Sequence, residues 1–598
     1  MKHRSEIFLV VVLVLVTVTA YLPLYKNGFV DWDDTQYIIE NESVKNFELY
    51  DLITNNFARN YHPLTMLSLA IDYSIFGETP QAFHYINLLL HILNSLLVAA
   101  LILKLPGANR YLSFWIALIF AIHPLHVESV AWLSERKDVL STFFFLLGLI
   151  VYTNEQSKGP NLWQRQGYYL VFGLFFLALN AKIMAATFPL VLFLFDYLYQ
   201  RKQTILSACE KIPLLVFSVA YSLINIQAQS SKEFALKFNC DLGVMLGTAL
   251  NSLAFSLYKS IFPTDLSIIY QRGVVEISIV QYLVALIICC AIGVSFVIFK
   301  NMRRLMLFGG LFFLLTIAPT TGIIPFGENQ SYADRYLYLP SIGLFYLYGV
   351  ILWALSEQWV RNKQLFNRSI VGLLVFVSVF FSYQANKRVE AWEDSETLFN
   401  DVISKYPKTN IAFINLGKYY LEKDDYNQAI YHYQKALEIN PDDQMAHGNL
   451  GAIYAMLKQD EQALAAYKKA IEIDPSYVTT IYNLASLYQR RGQENQAIEE
   501  FQKVVQIDSG FFQAYYNLGG IYLRRGDQDE AIRQFQNALE KQPDYLPARL
   551  NLARVYQRKG LLRAALGEYE RCLTLAPDDP KIQSAILQIA TTLRDSRL

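Results

Sequence analysis

Cysteine is scarce: Cys209, Cys240, Cys289, Cys290 and Cys572 are the only five, and they stand in no metal-binding spacing. That excludes a zinc module built on paired cysteines and gives no disulfide framework, so the redox compartment stays open. Cys289 and Cys290 fall inside an apolar run, where thiols pack as small hydrophobes. Charge is sparse too. Charged residues make up 17% of the 598, with 52 Lys+Arg balancing 52 Asp+Glu. A neutral chain of this kind gives no sign of nucleic acid as a partner. No A-x-A-like cleavage site follows the first apolar run, Ile7 to Leu22, so it reads as a retained helix rather than a signal peptide. No repeat relates two halves of the apolar region, which argues against a transporter.

What is present divides sharply near residue 385. Before it lie long apolar runs; after it the chain is polar, so at least two domains are expected. Beyond the first run, others sit near 83–103, 111–123, 138–152, 168–180, 183–199, 212–228, 244–262, 279–299, 305–318, 339–356 and 369–384. Several approach the roughly 20 residues that cross a bilayer. Lys2 and Arg4 place the N-terminus in the cytoplasm, and Lys104, Arg110, Lys158, Arg165, Arg201, Lys202, Lys211, Lys300, Arg303, Arg304, Arg361, Lys363 and Arg368 mark further cytoplasmic segments. The loops 23–82, 124–137 and 319–338 then lie outside. This needs an even number of crossings between about 229 and 278, so 244–262 is either re-entrant or accompanied by a hidden crossing. Amphipathic stretches at 43–57 and 64–76 are expected along the interface.

After residue 409 a period of 34 sets in. Asn415, Asn449, Asn483, Asn517 and Asn551 each begin an Asn-Leu-Gly or Asn-Leu-Ala step. Each repeat then carries a Tyr (Tyr420, Tyr454, Tyr488, Tyr522, Tyr556), an Ala (Ala429 to Ala565) and an aromatic (Tyr433, Tyr467, Phe501, Phe535, Tyr569) in register. Pro441, Pro475, Pro543 and Pro577 close the second helices, with Ser509 replacing one. This pattern resembles the tetratricopeptide repeat, whose stacked helix pairs leave a concave groove. The expected divisions are a membrane domain over 1–386, a junction and half repeat over 387–409 (Ser395, Phe399, Val402 and Pro407 keep register), five repeats over 410–579 and a cap over 580–598. A ladder of asparagine amides can grip an extended peptide through both donor and acceptor, although Asn at this position can equally support a turn.

Four polar constellations interrupt the apolar half. Asp31-Trp-Asp33-Asp34 follows the first helix, and neighbouring carboxylates there can tune one as a base. His123-Pro-Leu-His126-Val-Glu128 leads on to Arg136, Lys137 and Asp138. Glu328 to Tyr338 contains Asp334, Arg335 and Tyr336, and Arg335 can hold a phosphate bidentately. His84, Asn87, His91 and Asn94 lie on one face of a membrane helix, where polar groups line a cavity or glue helices together. His123, His126 and Glu128 also have the donor types of a metal site; the reading taken is no metal.

Asp31-Trp-Asp-Asp34, Tyr61-His-Pro-Leu64, His123-Pro-Leu-His-Val-Glu-Ser-Val-Ala-Trp132 with Glu135-Arg-Lys-Asp138, and Ala333-Asp-Arg-Tyr-Leu-Tyr338, followed by the repeats, resemble the transmembrane and tetratricopeptide-repeat O-mannosyltransferases. The resemblance covers nearly the whole chain and suits a bacterial relative. It implies an all-α fold: a polytopic transmembrane domain of the C-type glycosyltransferase kind, then an α-solenoid. It implies a polyprenyl- or dolichyl-phosphate sugar as donor, without nucleotide sugar, and a catalytic acid just past the first helix. The matching positions are Asp33 and Asp34. The expected reaction moves mannose, or a similar sugar, to Ser or Thr hydroxyls of exported proteins. Arg335, helped by Arg136 or Lys137, is expected to hold the donor phosphate. His62, His84, His91, His123, His126, Glu128, Asp334 and Tyr336 are expected to line the donor cavity, and the aligned asparagines to bind the acceptor protein. The expected site is a bacterial inner membrane with the repeats outside the cytoplasm, or an endoplasmic reticulum membrane with them in the lumen. In a eukaryotic host, Asn41-Glu-Ser43 and Asn329-Gln-Ser331 are glycosylation sequons. A membrane-anchored scaffold that recruits envelope or secretory proteins is the competing class. A ligase for whole glycans is a third, disfavoured by the placing of the acids in the first loop.

Overall fold

The computed structural model describes residues 2–58, 60–156, 165–201, 205–229, 242–270, 278–322, 332–358 and 363–595. Lys158, Lys202, Cys240, Arg361 and the segment Glu328 to Ser331, with its sequon, lie outside them. Within them the regular structure is helical. The chain forms two compact units, Met1–Thr409 and Asn410–Leu598.

Every long apolar run of the first unit is a helix, beginning with Lys2–Ala20 and ending with Lys363–Glu390. Six helices among the described residues are long and apolar enough to cross a membrane, or seven if the bent pair Arg110–Ile122 and Pro124–Ala131 is one span. The protein is an integral, multi-pass membrane protein. In the segment left open above, Leu242–Lys259 is one helix of 18 residues; residues 230–241 and 271–277 lie outside the described set. The first long loop is ordered by the short helices Glu42–Lys45 and Leu49–Thr54 and by Pro63–Phe76. Their inner sides bury Val44, Leu52, Met66 and Leu69 against Tyr37 and Leu133. Leu49, Tyr50 and Ile53 stay exposed on the other side, which gives these helices the two-sided character expected of an interfacial segment.

The second unit is five helix pairs, from Asn410–Glu422 with Tyr426–Ile439 to Leu546–Arg558 with Leu562–Leu575, closed by Pro580–Asp595. The repeat works by small-against-large packing. A Cβ added at Gly417, Gly451 or Gly519 would meet the ring of Tyr433, Tyr467 or Phe535 at 2.7, 2.5 and 2.7 Å. The helices of a pair can therefore close over an aromatic ring only where the first helix carries Gly or, as at Ala485 and Ala553, a single methyl. The turn inside each pair puts one residue in the left-handed region: Asp424, Lys458, Gly492, Gly526 and Gly560, with φ between 58° and 83°. The helix Ser395–Lys405, which keeps the repeat's register, belongs to the first unit, where its Phe399 packs against Trp32 with ring centroids 5.9 Å apart.

Candidate functional site

The loop that carries Asp33 and Asp34 is clamped to a segment more than 360 residues away. Asn27 donates its amide to the Val389 carbonyl (3.1 Å), Gly28 N–H to that of Glu393 (2.8 Å) and Asp31 N–H to the Ser395 hydroxyl (2.7 Å). Short-range bonds then set the acids. Asp34 Oδ2 accepts from Val30 N–H (3.1 Å), while Oδ1 accepts both the N–H (3.0 Å) and the hydroxyl (2.5 Å) of Ser134. Asp34 is 1% exposed, and burial pushes its carboxyl up to about 7 against the pull of these three hydrogen bonds. Asp33 is half-buried.

Ser134 belongs to the segment that His123-Pro124 begins. Pro124 ends the helix Arg110–Ile122 and turns the chain by 52°, leaving carbonyls without helical partners. Two histidines satisfy them. His126 Nδ1 donates to the Phe120 carbonyl (2.6 Å) and His91 Nε2 to that of Ala121 (2.8 Å), while His91 Nδ1 accepts from the Tyr338 hydroxyl (2.7 Å). His123 bonds the Ser260 carbonyl (3.2 Å) and caps the next turn at Leu125 N–H. His84 bonds the Gly28 carbonyl (3.2 Å), and His62 stacks on Tyr37 at 5.1 Å. All five rings are buried. In the structure these residues are held by protein partners. Four of them, His84, His91, His123 and His126, bond a backbone carbonyl and so brace broken helices or the first loop, as an imidazole N–H inside an apolar bundle can. Among the described residues no group of three or more His, Cys, Asp or Glu could hold a metal ion; Glu128 turns to Arg335 instead.

Next to Ser134, Glu135 opens a buried charge cluster. Arg335 Nη1 pairs with Glu128 Oε1 at 2.6 Å and its Nε with Glu135 Oε1 at 3.3 Å. Lys137 pairs with Glu135 at 3.1 Å, and Lys182 with Glu135 at 3.1 Å and Asp138 at 2.7 Å. Three cations thus face three carboxylates. Asp34 and Arg335 are joined through Ser134 and its neighbour Glu135. Arg335 also lies over the rings of Trp132 (5.4 Å) and Tyr336 (5.1 Å).

Two expected site residues face elsewhere. Arg136 does not join Arg335. It pairs with Asp72 at 2.7 Å, donates to the Ser68 hydroxyl (3.0 Å) and the Phe83 carbonyl (3.1 Å) and bonds Asn87, so its guanidinium is used up in tying three helices together. Asp334 turns away from Arg335 to accept from the Tyr270 hydroxyl at 2.7 Å, and burial raises its carboxyl above the usual range. Sequence reasoning missed Lys182 and Ser134 as members of this centre. Lys182 left a signal, a lone cation between the apolar runs 168–180 and 183–199. Ser134 left none.

In the second unit Asn415, Asn449, Asn483, Asn517 and Asn551 are half-buried on the first helices of their repeats. Some amides already have work there: Asn517 donates to the Tyr482 hydroxyl (3.0 Å) and Asn551 to that of Tyr516 (3.3 Å), each in the preceding repeat, while Asn415 donates to the Ile411 carbonyl (2.8 Å).

Fold and site together define a polytopic helical membrane protein with a charged, buried polar centre and a C-terminal tetratricopeptide-repeat solenoid. Family profiles described as "Tetratricopeptide repeat" match residues 409–476, 476–542 and 522–589. Over most of its length the chain is similar to proteins named protein O-mannosyl-transferase. It is 24% identical to human TMTC1 over 469 residues (68% of this chain, 52% of that protein) and 23% identical to F38B6.6 of Caenorhabditis elegans over 462 residues (74% and 64%). Human TMTC4 is 24% identical over 491 residues (70% and 64%). The chain thus spans half to two thirds of the length of these relatives. Among solved structures, the repeat protein YrrB aligns with 31% of this chain and 96% of its own at 22% identity and a TM-score of 0.28, and MamA with 29% and 96% at 24% identity and 0.27.

Proposed function

We propose that the protein is a membrane glycosyltransferase that moves mannose, or a similar sugar, from a polyprenyl phosphate to Ser or Thr hydroxyls of exported proteins. The observation that carries this reading is the joining of the acidic loop to the Arg335 cluster through Ser134 and Glu135. The names of the relatives agree with it.

Asp33 is the base in this reading. A base must reach the acceptor oxygen from outside the fold, and of the two acids Asp33 is the one with exposed surface, whereas Asp34 has both oxygens occupied. Asp34 and Ser134 fix the loop that presents it. The Asp33 carboxylate takes the hydroxyl proton, the acceptor oxygen bonds the sugar's anomeric carbon, and the bond from that carbon to the phosphate oxygen breaks with inversion. The electron pair leaves on the polyprenyl phosphate. In this reading the reaction takes place on the non-cytoplasmic side, the side the basic loops lead one to expect, with the repeats presenting the acceptor. Arg335 is committed to two carboxylates, so the leaving phosphate needs another cation.

The test is sugar transfer by purified full-length protein in lipid nanodiscs, given polyprenyl-phosphate mannose and a Ser/Thr-rich acceptor. Asp33→Asn/Asp34→Asn should abolish it; full activity in that double variant would overturn the reading.

A further inference from the structure

A second charged cluster lies at the end of the last membrane helix, and its balance differs from the first. Arg388, 6% exposed, spends Nη1 on Asp401 at 2.6 Å. Its Nε and Nη2 are buried with no hydrogen-bond partner among the described residues. These two nitrogens carry the parallel N–H groups along one edge of the guanidinium, the edge that matches two oxygens of a tetrahedral or planar oxyanion. Lys259, 2% exposed, donates to the neutral carbonyl of Thr264 and has no carboxylate within ion-pair distance among the described residues. Lys405 pairs with Asp401 at 2.6 Å. The charges of Arg388, Lys259 and Lys405 all act on Asp334. Among the described residues three cations, Lys405 partly exposed, therefore stand against two carboxylates, Asp334 and the partly exposed Asp401; Asp265, also near Lys259, is exposed to solvent. A largely buried positive excess beside an unpaired hydrogen-bonding edge costs folding energy unless an anion completes it.

The cluster adjoins the proposed reaction centre. Arg388 lies over Trp392 (5.9 Å), Trp392 stacks on Trp132 (5.8 Å), and Trp132 carries Arg335 on its ring. Both indole N–H groups are buried without hydrogen-bond partners among the described residues. The first cluster balances three cations with three carboxylates and has Asp33 and Asp34 beside it, so it disfavours a further anion.

We propose that the unpaired edge of Arg388 binds the phosphate of the lipid-linked donor and holds it as the sugar departs, with Lys259 adding positive charge to the same cluster. This rests on the transferase reading. Breaking the bond from sugar to phosphate oxygen turns a phosphodiester with one negative charge into a monoester carrying up to two. An excess cation with two aligned donors stabilises that growing charge more than the starting charge, as a leaving-group site must.

The experiment measures binding of polyprenyl monophosphate to the full-length protein in nanodiscs, with polyprenol and inorganic phosphate as parallel probes. Arg388→Lys keeps a charge for Asp401 but removes the fork; Lys259→Met is the second variant, and a melting curve for each checks the fold. We expect Arg388→Lys to weaken polyprenyl monophosphate about 10- to 100-fold, to leave polyprenol unchanged, and inorganic phosphate to compete. Affinity within twofold of wild type in both folded variants would overturn the site. Equal loss for polyprenol would overturn it as a phosphate site, and inorganic phosphate that binds without displacing the lipid would overturn the lipid as ligand. The two readings fail separately. A wild-type protein that transfers no sugar but binds the lipid phosphate through Arg388 sinks the transferase and keeps the site. Transfer with unchanged kcat and KM in Arg388→Lys, alongside unchanged lipid affinity, does the reverse.

Discussion

Ser134 donates two hydrogen bonds, at 3.0 and 2.5 Å, to one oxygen of Asp34, and so locks the loop past the first helix onto the segment that carries Glu135. Two carboxylates adjacent in sequence are thereby given different surroundings. One is sealed inside the protein and held by hydrogen bonds; the other keeps exposed surface.

The first prediction separates the two acids. Asp33→Asn should lower kcat by about 10²- to 10⁴-fold, the usual worth of a positioned base, with little change in KM. Asp34→Asn keeps an acceptor oxygen for Ser134 but turns an amide N–H toward Val30 N–H, so it should lower activity less and lower the melting temperature. Steady-state kinetics with a melting curve on each variant checks this, and a larger kcat loss in Asp34→Asn would exchange the roles.

Asp34 also makes stability depend on pH. Its carboxyl is raised by burial from 3.8 to about 7, so the folded state keeps a proton that the unfolded chain releases. The contribution is complete below about pH 4, declines as pH rises toward 7 and levels off above it. The whole span is on the order of 4 kcal/mol. Buried Asp334 acts in the same direction, so the readout is a difference. Between pH 4.5 and 8 the wild-type melting temperature should fall relative to that of Asp34→Asn, and parallel curves would show that Asp34 is ionised throughout.

The solenoid was readable almost residue by residue, because its packing repeats every 34 positions and each position answers to one local cause: a ring needs a small residue opposite, a turn needs a positive φ. The apolar runs were readable as helices because a bilayer demands them. The polar centre was readable as a set of motifs but not as a wiring diagram. Nothing in the motif His123-Pro-Leu-His126 says that its second ring closes the Phe120 carbonyl, since that depends on where Pro124 breaks the helix. Adjacent Arg136 and Lys137 leave in different directions, Arg136 to Asp72 and Lys137 to Glu135, because helical neighbours point about 100° apart. Arg388 left no signal for another reason: its partners, Asp401 and Trp392, follow the last apolar run in a stretch with no motif of its own, and only folding brings them together.

Lys458 offers a prediction free of the chemistry. It sits at φ 60°, in a turn where three other repeats use Gly, and a side chain there carries about 1 kcal/mol of backbone strain. Lys458→Gly should stabilise its repeat by up to about that amount, less the entropy that Gly adds to the unfolded chain. Hydrogen exchange over Gln444–Ile473 checks it, with slower exchange expected in the variant.

Arg335 and Glu128 test whether the charged centre behaves as one buried pair. Glu128→Gln removes the 2.6 Å partner and leaves Arg335 with Glu135, a carboxylate that already serves Lys137 and Lys182. Uncompensated charge in such surroundings costs about 3–5 kcal/mol. Arg335→Gln strands Glu128 in the same way, although Glu128 can relieve itself by taking up a proton. The double variant strands neither, so it should be more stable than the sum of the single losses implies, with a coupling of at least 1 kcal/mol in a double-mutant cycle. If the pair instead holds the donor phosphate, the single Arg335 variant will lose lipid-phosphate affinity with little change in melting temperature. Measuring both on the same four proteins decides whether Arg335 is a strut of the site or its anion receptor, and the geometry favours the strut.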